Sequence, residues 1–376
     1  MDNIDLDDFE DFEEIEIEIE NLDVFEDFND FFKITVEEVE GPMYPINENG
    51  IGIIPLGTTY IKDRSFRGCK KLTNIVIPVS VRTIGHNAFE GCTGLTSIVI
   101  PDSVKEIGRS AFMGCTGLTS IVIPDSVKMI EWFAFEGCSG LKSIVIPDSV
   151  RAIGHNAFED CTGLTSIVIP DSVKEIYSRA FANCTGLTSI AIPDSVKEIG
   201  SFAFEGCTGL NNIVIPDSVK KIRSRVIAGC TGLTSIVIPD SVKEIESNAF
   251  EGCTGLTNIV MPNSVKKIES RAFTGCTGLT SIVIPDSVEW IGFNVFEGCN
   301  SLESIYCHAD DPEQIIIENR ILVRKDDEKK ETIGIEYLGG YQATLYVHAS
   351  EGVVDAYKRH WVWNKFADIK PFKNYR

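Results

Sequence analysis

Residues 92–114 read Cys92-Thr93-Gly94-Leu95-Thr96-Ser97-Ile98-Val99-Ile100-Pro101-Asp102-Ser103-Val104-Lys105-Glu106-Ile107-Gly108-Arg109-Ser110-Ala111-Phe112-Met113-Gly114, and the pattern returns every 23 residues. Eleven cysteines keep that interval from Cys69 to Cys299, and 11 of the 15 prolines keep it from Pro55 to Pro285. A fixed period of this length marks a solenoid, in which each unit buries its apolar side only against its neighbours. Within the unit, Cys92, Leu95, Ile98, Ile100, Val104, Ile107, Ala111 and Phe112 recur as apolar columns and are the expected core. Ser97–Ile100 alternates and is β-branched, which predicts a short strand. Pro101 ends it by removing a ladder donor. Pro-Asp-Ser then predicts a turn, with Asp102 able to close it through its side chain. Ser110–Gly114 has the length of one helical turn, 3-10 or α, ending at the glycine. At about 4.8 Å per stacked strand, eleven units predict a solenoid of about 50 Å.

The columns also carry a family resemblance. Leu95-x-x-Ile98-x-Ile100 resembles the strand signature of leucine-rich repeats. With Pro101, Val104, Ile107, Ala111-Phe112 and Cys115 it is similar to the 23-residue BspA-like class over residues 51–306. The C-terminal part resembles the family's closing segment, through Leu345-Tyr346-Val347, Val354-Asp355-Ala356-Tyr357, Trp363, Phe366 and Ile369. The resemblance implies a right-handed leucine-rich repeat solenoid, a β-rich α/β repeat fold with a parallel sheet on one face and short 3-10 or α turns opposite. It also implies surface adhesins that bind proteins. The expected organisation is an acidic tail over 1–40, the solenoid over 41–306 and a cap over 307–376. Cys307 and His308 stand where an inner Ile and a Pro would be, so the array ends there and a cap is needed to cover the last edge.

The net charge of −22 is unevenly spread. Residues 1–40 hold 18 acidic residues and one lysine; the remaining 336 hold 38 acidic and 33 basic residues. Nucleic-acid binding needs a basic surface and is not expected. No run of 18 apolar residues exists, so no membrane span is expected. The interleaved phenylalanines and carboxylates of residues 9–32 suit a solubilising tail or a segment that orders on a partner. Against the basic C-terminal end, the tail also raises the idea of weak head-to-tail self-association.

The cysteine column lacks C-x-x-C and histidines at ligand spacing, so it reads as buried thiols. Twelve unpaired cysteines and the absence of a visible secretory signal favour the cytoplasm, whereas the resemblance favours the cell surface. One carboxylate per turn, followed by a lysine, is too few oxygens for a calcium site. No nucleophile, phosphate-loop or metal motif is present, so neither cofactor nor catalysis is expected.

Specificity is expected in the three variable residues after the last isoleucine of each unit. These hold Arg109, Trp132, Phe133, Tyr177, Arg179, Phe202, Arg223, Arg225, Arg271 and Phe293, residue types enriched at interface hot spots. Relaxed surface drift is the plain alternative. The functional expectation is a non-catalytic protein-binding or adhesion scaffold with an unidentified protein partner. The alternative is a passive structural or self-assembly module that uses the repeat ladders and oppositely charged ends.

Overall fold

The structure, a computed structural model, describes residues 42–318, 320–326, 329–336 and 338–372. The acidic tail, residues 1–40, lies outside the described residues. The described residues form one compact unit. Its chain winds as a parallel β-solenoid with two strands per turn. The longer strands, such as Ser97–Val99 and Ser120–Val122, pair in parallel with their counterparts one turn on, Ser97 opposite Ser120 and Val99 opposite Val122. Glu106–Ile107 and its equivalents build a second, narrower ladder. The strands are short because Pro101 and the following turn cut off the ladder. The register is fixed because a slip of one residue would turn Ile98 outward.

The remaining side of each turn differs from the helical turn the sequence suggests. Ser110 and Gly114 both adopt left-handed backbone, φ 55° and 68°. That interrupts a helix every fourth residue. Amides then alternate between two kinds of bond. Ala111 N and Met113 N donate within their own turn, to Gly108 O at 3.2 Å and Ser110 O at 3.1 Å. Ser110 N, Phe112 N and Gly114 N donate to the next turn, to Trp132 O, Ala134 O and Glu136 O at 2.7–2.9 Å. Every amide is satisfied, as a buried backbone requires. Among the described residues, helix is confined to the C-terminal part: an α-helix at Val353–Arg359 and 3-10 turns at Pro312–Gln314 and Trp363–Lys365. No described helix is long and apolar enough to cross a membrane.

The expected columns form one continuous core. Phenylalanines stack from Phe66 through Phe204 with centroids 5.2–5.5 Å apart and planes nearly parallel. The stack stops at Ile227 and resumes through Phe250, Phe273 and Phe296. In the Pro-Asp-Ser turn the bonding side chain is the serine. Ser103 Oγ donates to Val81 O at 2.7 Å, one turn back, and Ser264 Oγ to Val242 O at 2.7 Å. Asp102 is exposed to solvent instead.

The cysteines are also hydrogen-bond donors. Cys92 Sγ reaches Phe66 O at 2.9 Å, Cys115 Sγ reaches Phe89 O at 3.0 Å, and the column continues to Cys299 on Phe273 O at 3.1 Å. The thiol is small enough for the core and gives the phenylalanine carbonyl a second donor. Burial pushes Cys299 and Cys307 up to about 11 and Cys161, Cys207 and Cys253 up to about 12. Eleven of the twelve thiols are buried and only Cys69 is half-exposed. A thiol held protonated and away from solvent neither pairs nor reacts. The free cysteines therefore say nothing about compartment, and that part of the cytoplasmic expectation loses its support.

Both ends of the described unit are covered. Met43 N donates to Ser65 O at 2.9 Å and Tyr44 stacks on Phe66 at 5.7 Å. At the other end, Thr344–His348 and Asp368–Phe372 extend the main sheet in parallel beyond Ser304–Cys307. Leu338 O accepts Phe296 N at 2.7 Å, the bond that Val295 O makes with Phe273 N one turn earlier. A side chain on the next residue, Gly339, would come within 2.6 Å of Glu297 N, so that close approach requires glycine. Tyr357, on the α-helix, is fully buried and donates to Ala309 O at 2.9 Å.

Candidate interaction surface

The variable strip begins where the narrow ladder ends. Where glycine holds its first position, the space is tight: a side chain on Gly108 would meet His86 N at 2.9 Å. The third position is the left-handed one, φ 53–63° at Ser110, Phe133, Arg179, Phe202, Arg225 and Arg271. Asparagine tolerates that conformation best and fills it at Asn87, Asn156, Asn248 and Asn294. Phenylalanine and arginine there carry a steric cost of about 1 kcal/mol each.

The ten expected residues are not one site. Nine of them form three groups, Phe133 stands apart, and most are half-buried rather than free in solvent. In the first group the Arg109 guanidinium lies 4.1 Å over the Trp132 ring. Trp132 meets His155 edge-on at 4.9 Å, and His155 meets Tyr177 at 5.0 Å. Burial lowers the His155 pKa, which favours the neutral ring between its aromatic neighbours. The Tyr177 hydroxyl donates to Glu175; that bond and burial push it up to about 12. Arg223 stands across a shallow depression of about 340 Å³ that Tyr177, Ser178, Glu198 and Ser201 also line. It pairs with Glu198, and with Glu246 at 3.8 Å.

In the second group Arg179 covers the Phe202 ring at 4.5 Å and reaches both Glu159 and Glu205 at 3.5 Å. Arg225 pairs with Glu205 at 3.3 Å and Glu251 at 2.9 Å. The third group is Arg271 over Phe293 at 5.5 Å. Phe133 makes no ring or cation contact among the described residues.

The glutamates and His155 are the partners that residue-by-residue reading passes over. Their signal lies in the repeat itself, because one glutamate column supplies both partners of Arg179 and of Arg225. Arg179 finds Glu159 in the turn before and Glu205 in the turn after, and Arg225 finds Glu205 and Glu251 in the same way. Glu136 shows what happens when the rule is unmet. Ser110 and Asn156 occupy the two positions from which an arginine would reach it. Its Oε2 is buried with no hydrogen-bond partner. Burial, reinforced by the nearby Glu159 carboxylate, pushes it up to about 7.

The profile described as "BspA type Leucine rich repeat region (6 copies)" matches residues 52–163, 128–257 and 228–315. The chain belongs to the BspA-type leucine-rich repeat family. No curated protein matches it. Among solved structures, it is similar to a leucine-rich cell surface protein from Faecalibacterium prausnitzii, at 31% identity and TM-score 0.50 over 72% of this chain and 89% of that one. A leucine-rich repeat protein from Bacteroides ovatus is 27% identical with TM-score 0.52, covering 89% and 76% of the two chains. The pneumococcal vaccine antigen PcpA shares the fold, at 21% identity and TM-score 0.54 over 84% and 77%. As a BspA-type repeat protein the chain is a scaffold whose turns share one core pattern and differ from one another along the variable strip.

Proposed function

We propose that this BspA-type repeat protein is a non-catalytic protein-binding scaffold of the cell surface, and that it binds through the variable strip. The supporting observation is the left-handed column. Six of its positions, Arg64, Phe133, Arg179, Phe202, Arg225 and Arg271, hold arginine or phenylalanine where asparagine would cost less. Arg179, Arg225 and Arg271 gain ion pairs or ring contacts in return, but Phe133 gains none. Strain held without an internal ring or ion contact supports an external one.

The Arg109–Trp132–His155–Tyr177 row and the depression beside Arg223 give this surface an aromatic ridge next to a polar hollow. That is the pattern of an interface anchor with a hydrogen-bonding rim. A cell-surface location rests on family membership and on the Faecalibacterium relative, which is a cell surface protein.

The test is a pull-down from host serum and matrix proteins with the wild-type chain and with Trp132, Phe133, Tyr177 and Phe202 changed together to Ala. A bound protein that the wild type retains and the variant loses is the expected result. If every bound protein survives the four changes, the strip is not the binding surface.

A further inference from the structure

The outward column of the main sheet is a valine ladder. Val99 is 79% exposed, Val168 76%, and the nine valines from Val76 to Val283 together expose the equivalent of more than five whole residues. At about 100 Å² of apolar side chain per valine, this strip amounts to on the order of 550 Å². Parallel pairing sets Val76, Val99, Val122, Val145 and Val168 side by side, and Val237 beside Val260; between one paired group and the next the neighbouring strands are in contact without a ladder. Ala191 alone interrupts the valine column. The flanking columns are exposed Ser97- and Thr96-type residues. Between Thr96 and Val283 these three columns contain one charged residue, Lys142, in a chain that is 24% charged. Charge is depleted on the serine and threonine side of the strip, while the exposed Asp102-type column follows Pro101 on its other edge; an apolar centre with charge confined to one rim is compatible with an interface. A strip of this size is at the upper end of what a lone soluble protein exposes, where such patches are often functional.

We infer that the valine ladder is a face on which two copies of this chain associate, sheet against sheet. The face is the same in every turn, so it cannot read an irregular partner. It fits a surface that repeats at the same turn spacing, and a second copy has that spacing by construction. With its serine and threonine flanks the strip approaches the roughly 800 Å² per partner that specific dimers bury. The net charge of −22 does not oppose the pairing, because residues 1–40 carry −17 of it and the ladder carries almost none. This inference does not depend on the variable strip, which lies on another side of each turn.

Sedimentation velocity of the full chain across the micromolar range tests it. The wild type is expected to shift from monomer to dimer mass with concentration. Because the contact is apolar, sulfate should strengthen it. Changing Val122, Val168 and Val237 together to Lys should weaken the dimer at least about tenfold. The same three positions changed to Thr, which keeps the β-branch and the strand, should weaken it with an unchanged far-ultraviolet circular dichroism spectrum. Trp132→Ala with Tyr177→Ala should leave it intact. A monomer at every concentration overturns the inference. So does a dimer that the Lys and Thr variants retain, or one that the strip variant loses. Loss of binding to another protein or a polymer by the ladder variants, with the wild type monomeric, assigns the face to that partner and equally overturns it.

Discussion

Glu136 offers a quantitative test of how the turns are matched. Its carboxyl titrates near 7 in the folded chain against an ordinary 4.5, first because it is buried and second because Glu159 is close. At about 1.4 kcal/mol per pKa unit, the full difference corresponds to about 3 kcal/mol. Part of the side chain still faces water, which screens the effect to on the order of 1–2 kcal/mol. The sign follows from linkage. Between about pH 4.5 and pH 7 the folded state holds a proton that the unfolded state has released, so stability falls as pH rises through that window. Above it the cost is complete.

Glu136→Gln should therefore raise the urea midpoint near pH 8 by the equivalent of about 1–2 kcal/mol and give no gain below about pH 4.5. Ser110→Arg should act through the same group. It places a guanidinium in the turn before the carboxylate, where Arg179 stands relative to Glu205 and Arg225 relative to Glu251, and its backbone is already left-handed. It should move the pH-dependent window downward. The assay is urea unfolding followed by circular dichroism at several pH values. An offset between Glu136→Gln and wild type that is the same at every pH would refute the reasoning, as would no gain at the alkaline end.

Native protein should expose one of its twelve thiols to a water-soluble thiol reagent, and Cys69→Ser should remove that reaction; fast labelling of a second thiol would contradict the buried ladder. Phe133→Asn should stabilise the fold by about 1 kcal/mol in urea unfolding, since asparagine suits the left-handed backbone and no ring contact is lost. Phe158→Ala should cost about 3–5 kcal/mol, because it opens a cavity between Phe135 and Phe181, each stacked at 5.4 Å. A loss under about 1 kcal/mol would mean that the stack closes over the gap.

Much of the fold is legible in the sequence because period and polarity act together. The Cys, Leu, Ile, Val, Ala and Phe columns, the strand at Ser97–Val99 and the turn after Pro101 all follow from repetition and apolar alternation. What escapes the sequence is bonding set by neighbouring turns. Nothing in Ser110-Ala111-Phe112-Met113-Gly114 reveals that its amides point alternately inward and along the axis; Arg179 and Phe202 conceal the left-handed position that Asn156 hints at. Asp102 looks like the turn's bonding residue by local rules, but Ser103 has the carbonyl of Val81 within reach one turn back. The strip residues are legible as candidates, yet their grouping depends on aromatic rings and glutamates in the turns on either side. The cysteines were legible as buried, while their bond to the phenylalanine carbonyl was not.

The closing bond at Leu338 has a consequence for how such a chain changes over generations. Leu338 O stands in for the carbonyl that a further turn would present to Phe296 N, as Val295 O does for Phe273 N. Neither terminus therefore senses how many turns lie between. Adding or deleting one whole unit in the middle leaves both ends chemically unaltered, whereas a partial unit would break the register where it joins its neighbours. The chain is in this sense a ruler graduated in turns. Descent can lengthen or shorten it by recombination between near-identical units, and the place where the strip presents Trp132 or Arg271 moves along the axis in the same fixed steps.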